Sequence, residues 1–600
     1  MSEKAPKRFT DGAVSFEGGM DSGRVPNLIG DNQVAFAVNC TFRGGYASQR
    51  PGWEKQAFTD EDGSPLTGIW QCARDYIDDD GNVFLIALIA GRVYRWNPET
   101  DETDELTSEC LYNPSNLLDG WMEQAENFLV IQDGQSGPLI FDGATLRRAL
   151  PTEIKAGTVM RYVNGRIWYA LPSGFEFRAT DLVYSDGTRS SVLKEAENQF
   201  LVGGNFSVPS DGGPITALAV PGNLDTSLGQ GPLLVFTPRY VFSVQAPLDR
   251  DAWASVNYPI VAVSLVSNGA LGARSTITVN GDVFYRAVDG IRSFIIARRD
   301  FGTWGNTPIS GEVDSVISTD NSELLRWGSA VVFDNRMLMT TQPQNACALN
   351  GITHKGLVVM DLELISNLRE KLPPAWEGVW TGLNILQIVK TQSANNEQCF
   401  IFARNEDNDS IEIWEVTKDS KYDRPDSSTR VPVRWEVQTR AFDFESPFGQ
   451  KRMDSGEVWV DQLMGTSYID AKYRPDQYPG WIDWHGWSIA AITDACGNTG
   501  CLPLLLGSPQ YRTKLRLPQP SDACDSILKT QYRKLYQVQI RFRMCGFFRL
   551  KGLRVHAYDE PEQVAGQCLP CETPAKLSAC DLNPFTYSSS DDSNACDDDC

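Results

Sequence analysis

The side chains best suited to bind a metal are cysteines near the end of the chain. Nine of the 14 cysteines lie after residue 495, and Cys568-Leu-Pro-Cys571 has the two-residue gap of a zinc knuckle. A tetrahedral zinc site needs four such ligands. The next pair, Cys596 and Cys600, has a three-residue gap, and no histidine lies nearby. Zinc is therefore disfavoured and we expect no metal site, whereas disulfide bonds and reduced thiols both remain open.

Histidine and acidic residues show little catalytic pattern. The three histidines, His354, His485 and His556, lack the spacing of a metal pair and have no nucleophile-elbow serine or cysteine beside them. In "DYIDDDGN" (75–82), Tyr76 stands where a calcium loop places its first carboxylate, so a solvated hairpin loop is favoured. Two carboxylates for glycoside hydrolysis must stand about 5–9.5 Å apart, which the sequence neither indicates nor excludes. We expect no cofactor and no enzyme activity.

The elements that position these residues are β-strands almost throughout. In "STITVNGDVFYRAVDGIRSFIIA" (275–297), Asn280-Gly281 and Asp289-Gly290 separate three β-branched and aromatic runs. Asn or Asp followed by Gly supplies the positive φ angles of a type I′ turn, so this segment predicts a three-stranded meander. Further turns are expected at Ala90-Gly91, Asp133-Gly134, Asp142-Gly143, Asn164-Gly165 and Asp334-Asn335.

Many short strands at close spacing predict a mainly β fold of the sandwich, barrel or propeller type. Gly91 and Gly134 are 43 residues apart, which is close to the length of about 40–50 residues per propeller blade. The interval is irregular, because no strong hairpin signal lies between Gly165 and Gly281. We therefore expect an irregular β-propeller with insertions.

The pattern changes after about residue 440. Long alternating segments at 456–476 and 531–558 predict a C-terminal β-sandwich domain, and an acidic, serine-rich stretch closes the chain at 588–600. The expected organisation is an N-terminal arm and anchoring strand (1–60), a β-propeller-like domain with insertions (61–440), a β-sandwich (441–558) and a Cys-rich acidic tail (559–600).

The composition is that of a folded, acidic protein. The chain is 42% hydrophobic and 22% charged, and 54 basic against 77 acidic residues give a formal charge of −23. Such a chain does not wrap a polyphosphate through its overall field, but it can lie beside DNA without binding it. The first twelve residues lack the apolar core of a secretory signal, and no apolar stretch approaches the roughly 18–20 residues of a membrane span. We expect a protein made in the cytoplasm, with no membrane span.

Two glycine-rich turns stand close together in "NQVAFAVNCTFRGGYASQRPGW" (32–53). They are Arg43-Gly44-Gly45 and Arg50-Pro51-Gly52. The arginines carry donor forks that can tie loop carbonyls or acidic partners together. The glycines permit positive φ, and the proline fixes its own φ. Such a segment suits a strand that anchors a ring of blades or docks on a neighbouring subunit, and a pair of ordinary surface turns is the alternative.

Residues 18–53 resemble the N-terminal segment of tail and collar proteins of tailed bacteriophages. In that group a P-x-L-I-x-x-N-Q start leads into an N-x-x-x-R-G-G turn and an R-P-G turn ahead of a β-propeller. The matching positions are Pro26, Leu28, Ile29, Asn32, Gln33, Asn39, Arg43, Gly44, Gly45, Arg50, Pro51 and Gly52.

This resemblance implies a nozzle, or tail hub, of the short-tailed phages. That protein is a propeller-bearing ring component, usually sixfold, which extends the tube below the portal and adaptor. The implied partners are copies of the same chain in a hexameric ring, the adaptor and fibre proteins, and DNA that passes transiently without specific binding. The implied location is the tail of the virion, assembled in the cytoplasm of the host bacterium.

Two other functions remain open at this point. A receptor-binding fibre or head-vertex protein could recognise host surface glycan, and 16 Trp and 19 Tyr would suit stacking on sugars, although core packing explains most aromatic residues. A tail depolymerase is the third function, and no motif in the chain favours it.

Overall fold

The computed structural model describes residues 7–183, 193–195, 205–222, 232–244, 253, 260–263, 267–295, 308–344, 351–363, 375–393, 396–476, 478–490, 512–520 and 534–559. The chain divides into two compact units. We call Trp53–Glu363 and Thr381–Lys418 the propeller unit, and Met1–Gly52, Leu364–Trp380 and Asp419–Cys600 the long-strand unit. The interpretations of the Cys568–Cys571 and Cys596–Cys600 pairs and of the acidic tail lie outside the described residues.

Five antiparallel sheets form blades in the propeller unit, which confirms the predicted mainly β fold with a propeller. Their strands are, in blade 1, Trp70–Ile77, Val83–Ile89, Arg92–Trp96 and Thr103–Glu105; in blade 2, Trp121–Ala125, Phe128–Gln132, Leu139–Phe141 and Leu146–Arg148; in blade 3, Met160–Val163, Arg166–Ala170, Glu176–Ala179 and Asn205–Ser207; in blade 4, Ala217–Ala219, Leu233–Phe236, Val241–Val244 and Ile260–Val263; and in blade 5, Thr276–Val279, Asp282–Ala287 and Gly290–Ser293.

Two further three-stranded meanders follow the five blades along the chain. The first contains Ala330–Phe333, Arg336–Pro343 and His354–Asp361, and the second contains the part of Ala375–Gln392 after residue 380, Glu397–Arg404 and Ile411–Thr417. An early strand, Gly52–Gln56, pairs with Ile411–Thr417 and so completes the second meander. Lys55 reinforces this pairing through an ion pair of 2.7 Å with Glu412.

Apolar clusters fill the spaces between adjacent sheets of the propeller unit. Successive clusters join blade 1 to blade 2, blade 2 to blade 3, blade 3 to blade 4 and blade 4 to blade 5. Another cluster joins the second meander to blade 1, where the rings of Trp70 and Phe402 lie 4.6 Å apart and those of Trp96 and Phe400 lie 5.2 Å apart. Blades 1 to 4 therefore bury both faces, and hydrophobic burial stabilises their packing.

The turn chemistry predicted from sequence is confirmed at several hairpins. Asn280 and Gly281 have φ of +50° and +87°, and Asn164 and Gly165 have φ of +51° and +73°. Both pairs therefore have the two positive φ angles that the type I′ turn requires. Ala90-Gly91 and Asp334-Asn335 follow the same pattern.

Two turn predictions are wrong. Ala287 pairs with Gly290, so the turn residues are Val288 and Asp289 and not Asp289-Gly290. The stretch between Gly165 and Gly281, expected to lack a strong hairpin, contains the strands of blade 4. Their tight turn runs from Thr237 to Tyr240, with Thr237 N–H donating to Tyr240 O at 3.0 Å. Its Pro238 stands at the second position of the turn, which favours a type I or II turn without any Asn-Gly signal.

The long-strand unit contains a large curled sheet where the sequence predicts a β-sandwich, and Tyr422–Asp423 and Val431–Pro432 form a separate two-stranded sheet. Lys451–Pro475 pairs antiparallel with Val538–Asp559 from Lys451 opposite Asp559 to Pro475 opposite Val538, and four register shifts interrupt the ladder. Such bulges bend a strand, which explains how strands of 25 and 22 residues curl. The other strands are Arg8–Ala13, Gly19–Met20, Gln33–Val38, Cys40–Thr41, Ala47–Gln49, Tyr422–Asp423, Val431–Pro432, Arg434–Thr439, Ile482–Ala490, Arg512–Leu517 and Lys534–Leu535.

The two units are not contiguous in sequence. Residues 364–380 and 419–440, which the sequence assigns to the propeller, group with the long-strand unit, and residues 53–60 of the N-terminal arm group with the propeller unit. Helices of the described residues are short: Asp314–Ile317 is an α-helix, and Glu109–Leu111, Ser210–Gly212, Ile309–Val313 and Ser322–Trp327 are 3₁₀-helices. None of these helices has the length and apolar character to cross a membrane.

A matched pair of glycine substitutions tests the packing of blade 1. Gly91 and Gly63 have nearly the same φ, +79° and +78°, but a Cβ on Gly91 would lie 2.0 Å from Asn113 O whereas one on Gly63 meets nothing within 4 Å. Gly63→Ala should lower the free energy of unfolding by about 1 kcal/mol through backbone strain alone. Gly91→Ala should lower it by about 1–3 kcal/mol more, because the backbone must also shift. Urea unfolding measures both, and equal losses would refute the close contact.

A second prediction concerns His354, which is buried with its Nδ1 3.3 Å from Ile385 O. Burial lowers the pKa of His354 from its ordinary 6.5 to about 4. The unfolded chain therefore takes up this proton first as the pH falls, so stability is complete above about pH 6.5 and is lost between pH 6.5 and 4. His354→Gln should flatten that part of the stability curve by up to about 3 kcal/mol. Urea unfolding at pH 7, 5.5 and 4.5 checks this, and parallel curves would contradict it.

Candidate functional site

Asn39 and Arg50, from the two predicted turn motifs, lie together in the long-strand unit. Asn39 has φ of +52°, a conformation that Asn tolerates better than most residues. Its N–H donates to Val379 O at 2.8 Å, and its Nδ2 donates to Arg434 O at 3.0 Å. Arg50 N–H donates to Asn39 O at 2.7 Å and Arg50 Nε to Asn39 Oδ1 at 3.1 Å. Asn39 thus joins three distant parts of the unit.

The guanidinium of Arg50 makes a two-pronged ion pair with Asp423. Nη1 donates to Oδ1 and Nη2 to Oδ2, each at 2.8 Å, and Nη1 also donates to Pro51 O at 2.9 Å. The Arg50 side chain is only 2% exposed, and that of Asp423 is 24% exposed. A fork-to-fork pair of this kind is stronger and more directional than a single charge-assisted hydrogen bond. The segment at Arg50 is therefore not the ordinary surface turn of the alternative interpretation.

Gly52 follows this pair and is constrained by space. Its φ is not positive, so the expectation that it serves a positive-φ turn is wrong. Its N–H donates to Ser420 O at 2.9 Å, and an added Cβ would lie 2.0 Å from Tyr422 O. Only a residue without Cβ permits the backbone to pass this close to residues 420–422.

The Arg43-Gly44-Gly45 motif forms the expected tight turn. Gly44 and Gly45 have φ of +79° and +77°, and Gly45 N–H donates to Phe42 O at 3.1 Å. Gly45 O accepts from Phe16 N–H at 3.2 Å, so the turn also binds the preceding segment. Arg43 is half-buried at the start of the turn.

Asn32 immediately precedes the strand Gln33–Val38, and Gln33 is its first residue. Gln33 N–H donates to Gly30 O at 3.0 Å, and Gln33 Oε1 accepts from Gly30 N–H at 2.9 Å, which closes a small loop. Asn32 O accepts from Gly18 N–H at 3.0 Å, while the residue itself is exposed. These contacts position the strand entry.

The partners that lie far along the chain have no recognisable signal in the sequence. Trp380 Nε1 donates to Cys40 O at 2.8 Å, and Phe42 N–H donates to Glu377 Oε1 at 3.4 Å. Asp423, the partner of Arg50, stands in "SKYDRPD" (420–426), where a carboxylate among polar turn residues is unremarkable. No local signal distinguishes these residues, because each acts through a contact hundreds of positions away.

The residues considered for metal binding or catalysis make contacts within the fold. Asp78 Oδ1 accepts from the N–H groups of Asp80 and Asn82 at 2.9 and 2.8 Å, so this carboxylate closes its own loop. His485 is exposed and lies edge-on to Trp487, with ring centroids 4.9 Å apart. Within the described ranges, no group of three or more His, Cys, Asp or Glu side chains could hold a metal ion.

The Arg50 pair yields a testable prediction with a built-in control. Arg50→Lys keeps the charge but loses the fork to Asp423 and the Nε–H bond to Asn39, which should lower stability by about 1–3 kcal/mol. Arg95 makes a comparable pair with Asp104 on blade 1, but the two side chains are 28% and 52% exposed. Arg95→Lys should change stability by no more than about 0.5 kcal/mol.

Thermal unfolding and hydrogen exchange of the amides around residues 50–52 and 420–423 measure this difference. Faster exchange in both stretches is expected for Arg50→Lys and not for Arg95→Lys. Equal effects of the two substitutions would show that the buried fork contributes no more than a surface pair.

No family model and no curated protein matches this chain. Among solved structures, the chain is similar to the WD40 repeats of RRP9, with 8% identity, 62% of this chain and 99% of that chain covered, and a TM-score of 0.35. It is also similar to the Cps50 (Swd1) β-propeller domain of Myceliophteria thermophila, with 10% identity, 59% and 98% coverage and a TM-score of 0.31. A streptogramin B lyase matches with 9% identity, 61% and 97% coverage and a TM-score of 0.31. Likenesses this weak carry no argument about function.

Proposed function

We propose that this chain is a structural protein of a bacteriophage tail, a nozzle-like or hub ring component that forms part of the DNA-ejection channel and performs no catalysis. The observation that supports the proposal is that polar residues of the motif in residues 18–53 are bonded to other segments of the long-strand unit. Asn39 and Arg50, the polar residues at its centre, bind Val379, Arg434 and Asp423 of the same unit. Side chains occupied in this way serve the assembly of a rigid part better than they serve a reaction.

The proposed assembly is a homohexameric ring in the tail of the virion, put together in the cytoplasm of the host. Its other partners are the adaptor above it and the fibres around it. The resemblance of residues 18–53 to phage tail and collar proteins supports this arrangement. Strands of 25 and 22 residues paired over their length give the long-strand unit the stiffness that a ring component needs.

The net negative charge of the chain favours a channel through which DNA passes without binding to the wall. At a formal charge of −23, the protein repels the phosphate backbone at distances up to the Debye length of about 8–10 Å. An acidic channel wall would release no counterions to favour a contact, so DNA would slide through without the salt-dependent binding that slows it.

The prediction is a closed ring of six copies. Native mass spectrometry and negative-stain microscopy of the purified full-length protein should show it, and antibody labelling of phage particles should place it on the tail axis. A monomer that labels the tips of fibres would overturn the proposal. Strong DNA binding that weakens steeply with added salt would contradict the repulsive channel.

A glycan array separates this proposal from the receptor-binding alternative. The hub protein should bind no host glycan, and the array should stay blank at micromolar protein. Saturable binding to one glycan class would favour the fibre or head-vertex function, and release of oligosaccharide from host polysaccharide would favour a depolymerase.

A further inference from the structure

A cavity of about 310 Å³ lies where the first strands of the propeller sheets converge. Each blade and both meanders contribute to its wall, and strand residues that represent the blades and the first meander are Cys72, Trp121, Arg161, Leu218, Ile277 and Val331. The volume corresponds to the lower end of sites that hold small ligands.

The wall of this cavity carries more basic than acidic side chains. Four are basic and two are acidic: Arg74, Arg161, Arg274 and Lys390 against Asp75 and Glu123. Arg74 pairs with Glu123, and Lys390 pairs with Glu397 at 2.6 Å. Among the described residues, Arg161 and Arg274 have no carboxylate oxygen within the 4.0 Å of an ion pair.

Arg274 is held in place by bonds that leave half of its donor fork unused. Its Nη1 donates to Gln71 O at 3.1 Å and to Gln387 Oε1 at 2.9 Å. Gln387 is itself fixed, because its Oε1 accepts from Ala73 N–H at 3.0 Å and its Nε2 donates to Ala73 O at 2.7 Å. The Nε and Nη2 groups of Arg274 meet no acceptor within the described part of the chain.

The surroundings make this cation receptive to an anion. Partial desolvation lowers the pKa of Arg274, and the charge of Asp119 acts in the opposite direction. Met122, Met160, Leu218 and Val331 form apolar parts of the same wall. An interaction between opposite charges is stronger in such a low-dielectric site than in water.

We propose that this cavity binds a small oxyanion, whose phosphate or carboxylate oxygens accept N–H bonds from Arg274 and Arg161. A guanidinium presents two parallel donors to such oxygens, and its pre-set position lowers the entropy lost on binding. The site belongs to the propeller unit alone and does not depend on a role in a phage tail.

Isothermal titration calorimetry of the full chain tests the proposal with inorganic phosphate and, separately, with succinate. Sodium chloride at the same ionic strength is the reference. The parent protein should bind at least one of the two anions saturably, and which one binds identifies the source of the oxygens. Arg161→Gln should weaken binding about tenfold or more, since it removes one charged donor. The control Arg95→Gln, on the exposed side of blade 1, should leave the affinity unchanged.

Arg274→Gln should abolish binding if the protein folds, which circular dichroism reports. Should it not fold, Arg161→Gln decides, because the Arg161 side chain makes no hydrogen bond to the described residues and its replacement leaves the core intact. Failure of the parent protein to bind either anion would overturn the proposal, as would equal affinity in Arg161→Gln and Arg95→Gln.

Discussion

The buried guanidinium of Arg50 is the constraint around which the N-terminal part of the long-strand unit is built. A charge that is 2% exposed is costly by several kcal/mol unless its donors are matched, and Asp423, Asn39 and Pro51 O match them. Once the fork is in place, residues 50–52 must pass directly beside residues 420–423. Only glycine fits at position 52 of that crossing, because a Cβ would lie 2.0 Å from Tyr422 O. We infer that the pair selects one register for these segments, since any slip would leave a buried charge without its partner.

Local chemistry explains what could be predicted of this fold. Asn280-Gly281 and Asn164-Gly165 carry their φ preference within two residues, so the hairpins they form are visible in the sequence. The turn from Thr237 to Tyr240 has no comparable signal, because Pro238 is compatible with several turn types and with loops. The partner of Arg50 was beyond prediction for a different reason, since Asp423 stands 373 residues away. Spacing identified the arginine as a donor fork but held no information about its acceptor.

Apolar faces pack the neighbouring sheets of the propeller unit against each other. The strand Phe128–Gln132 is buried at every position, because its sheet packs against a neighbour on each side. Such strands lose the alternation of a half-exposed sheet, which is why the sequence indicated β structure without fixing the number of blades. The strand Gly52–Gln56 completes the second meander, although it precedes blade 1 in the chain. Closure by a strand from so early in the chain explains why residues 53–60, assigned to an arm, group with the propeller unit.

Arg50 and Arg274 differ in how far their donors are satisfied. Every nitrogen of the Arg50 guanidinium donates to an oxygen, and two of those oxygens carry charge. Arg274 is anchored as firmly, yet both of its bonds come from Nη1 and both reach neutral acceptors. A cation paired in full contributes to the fold and offers nothing to a ligand. A cation fixed by one nitrogen at the wall of a cavity retains part of its desolvation cost until an anion enters. An arginine therefore serves structure at position 50 and, as proposed, recognition at position 274, and the difference lies in the acceptors that surround it.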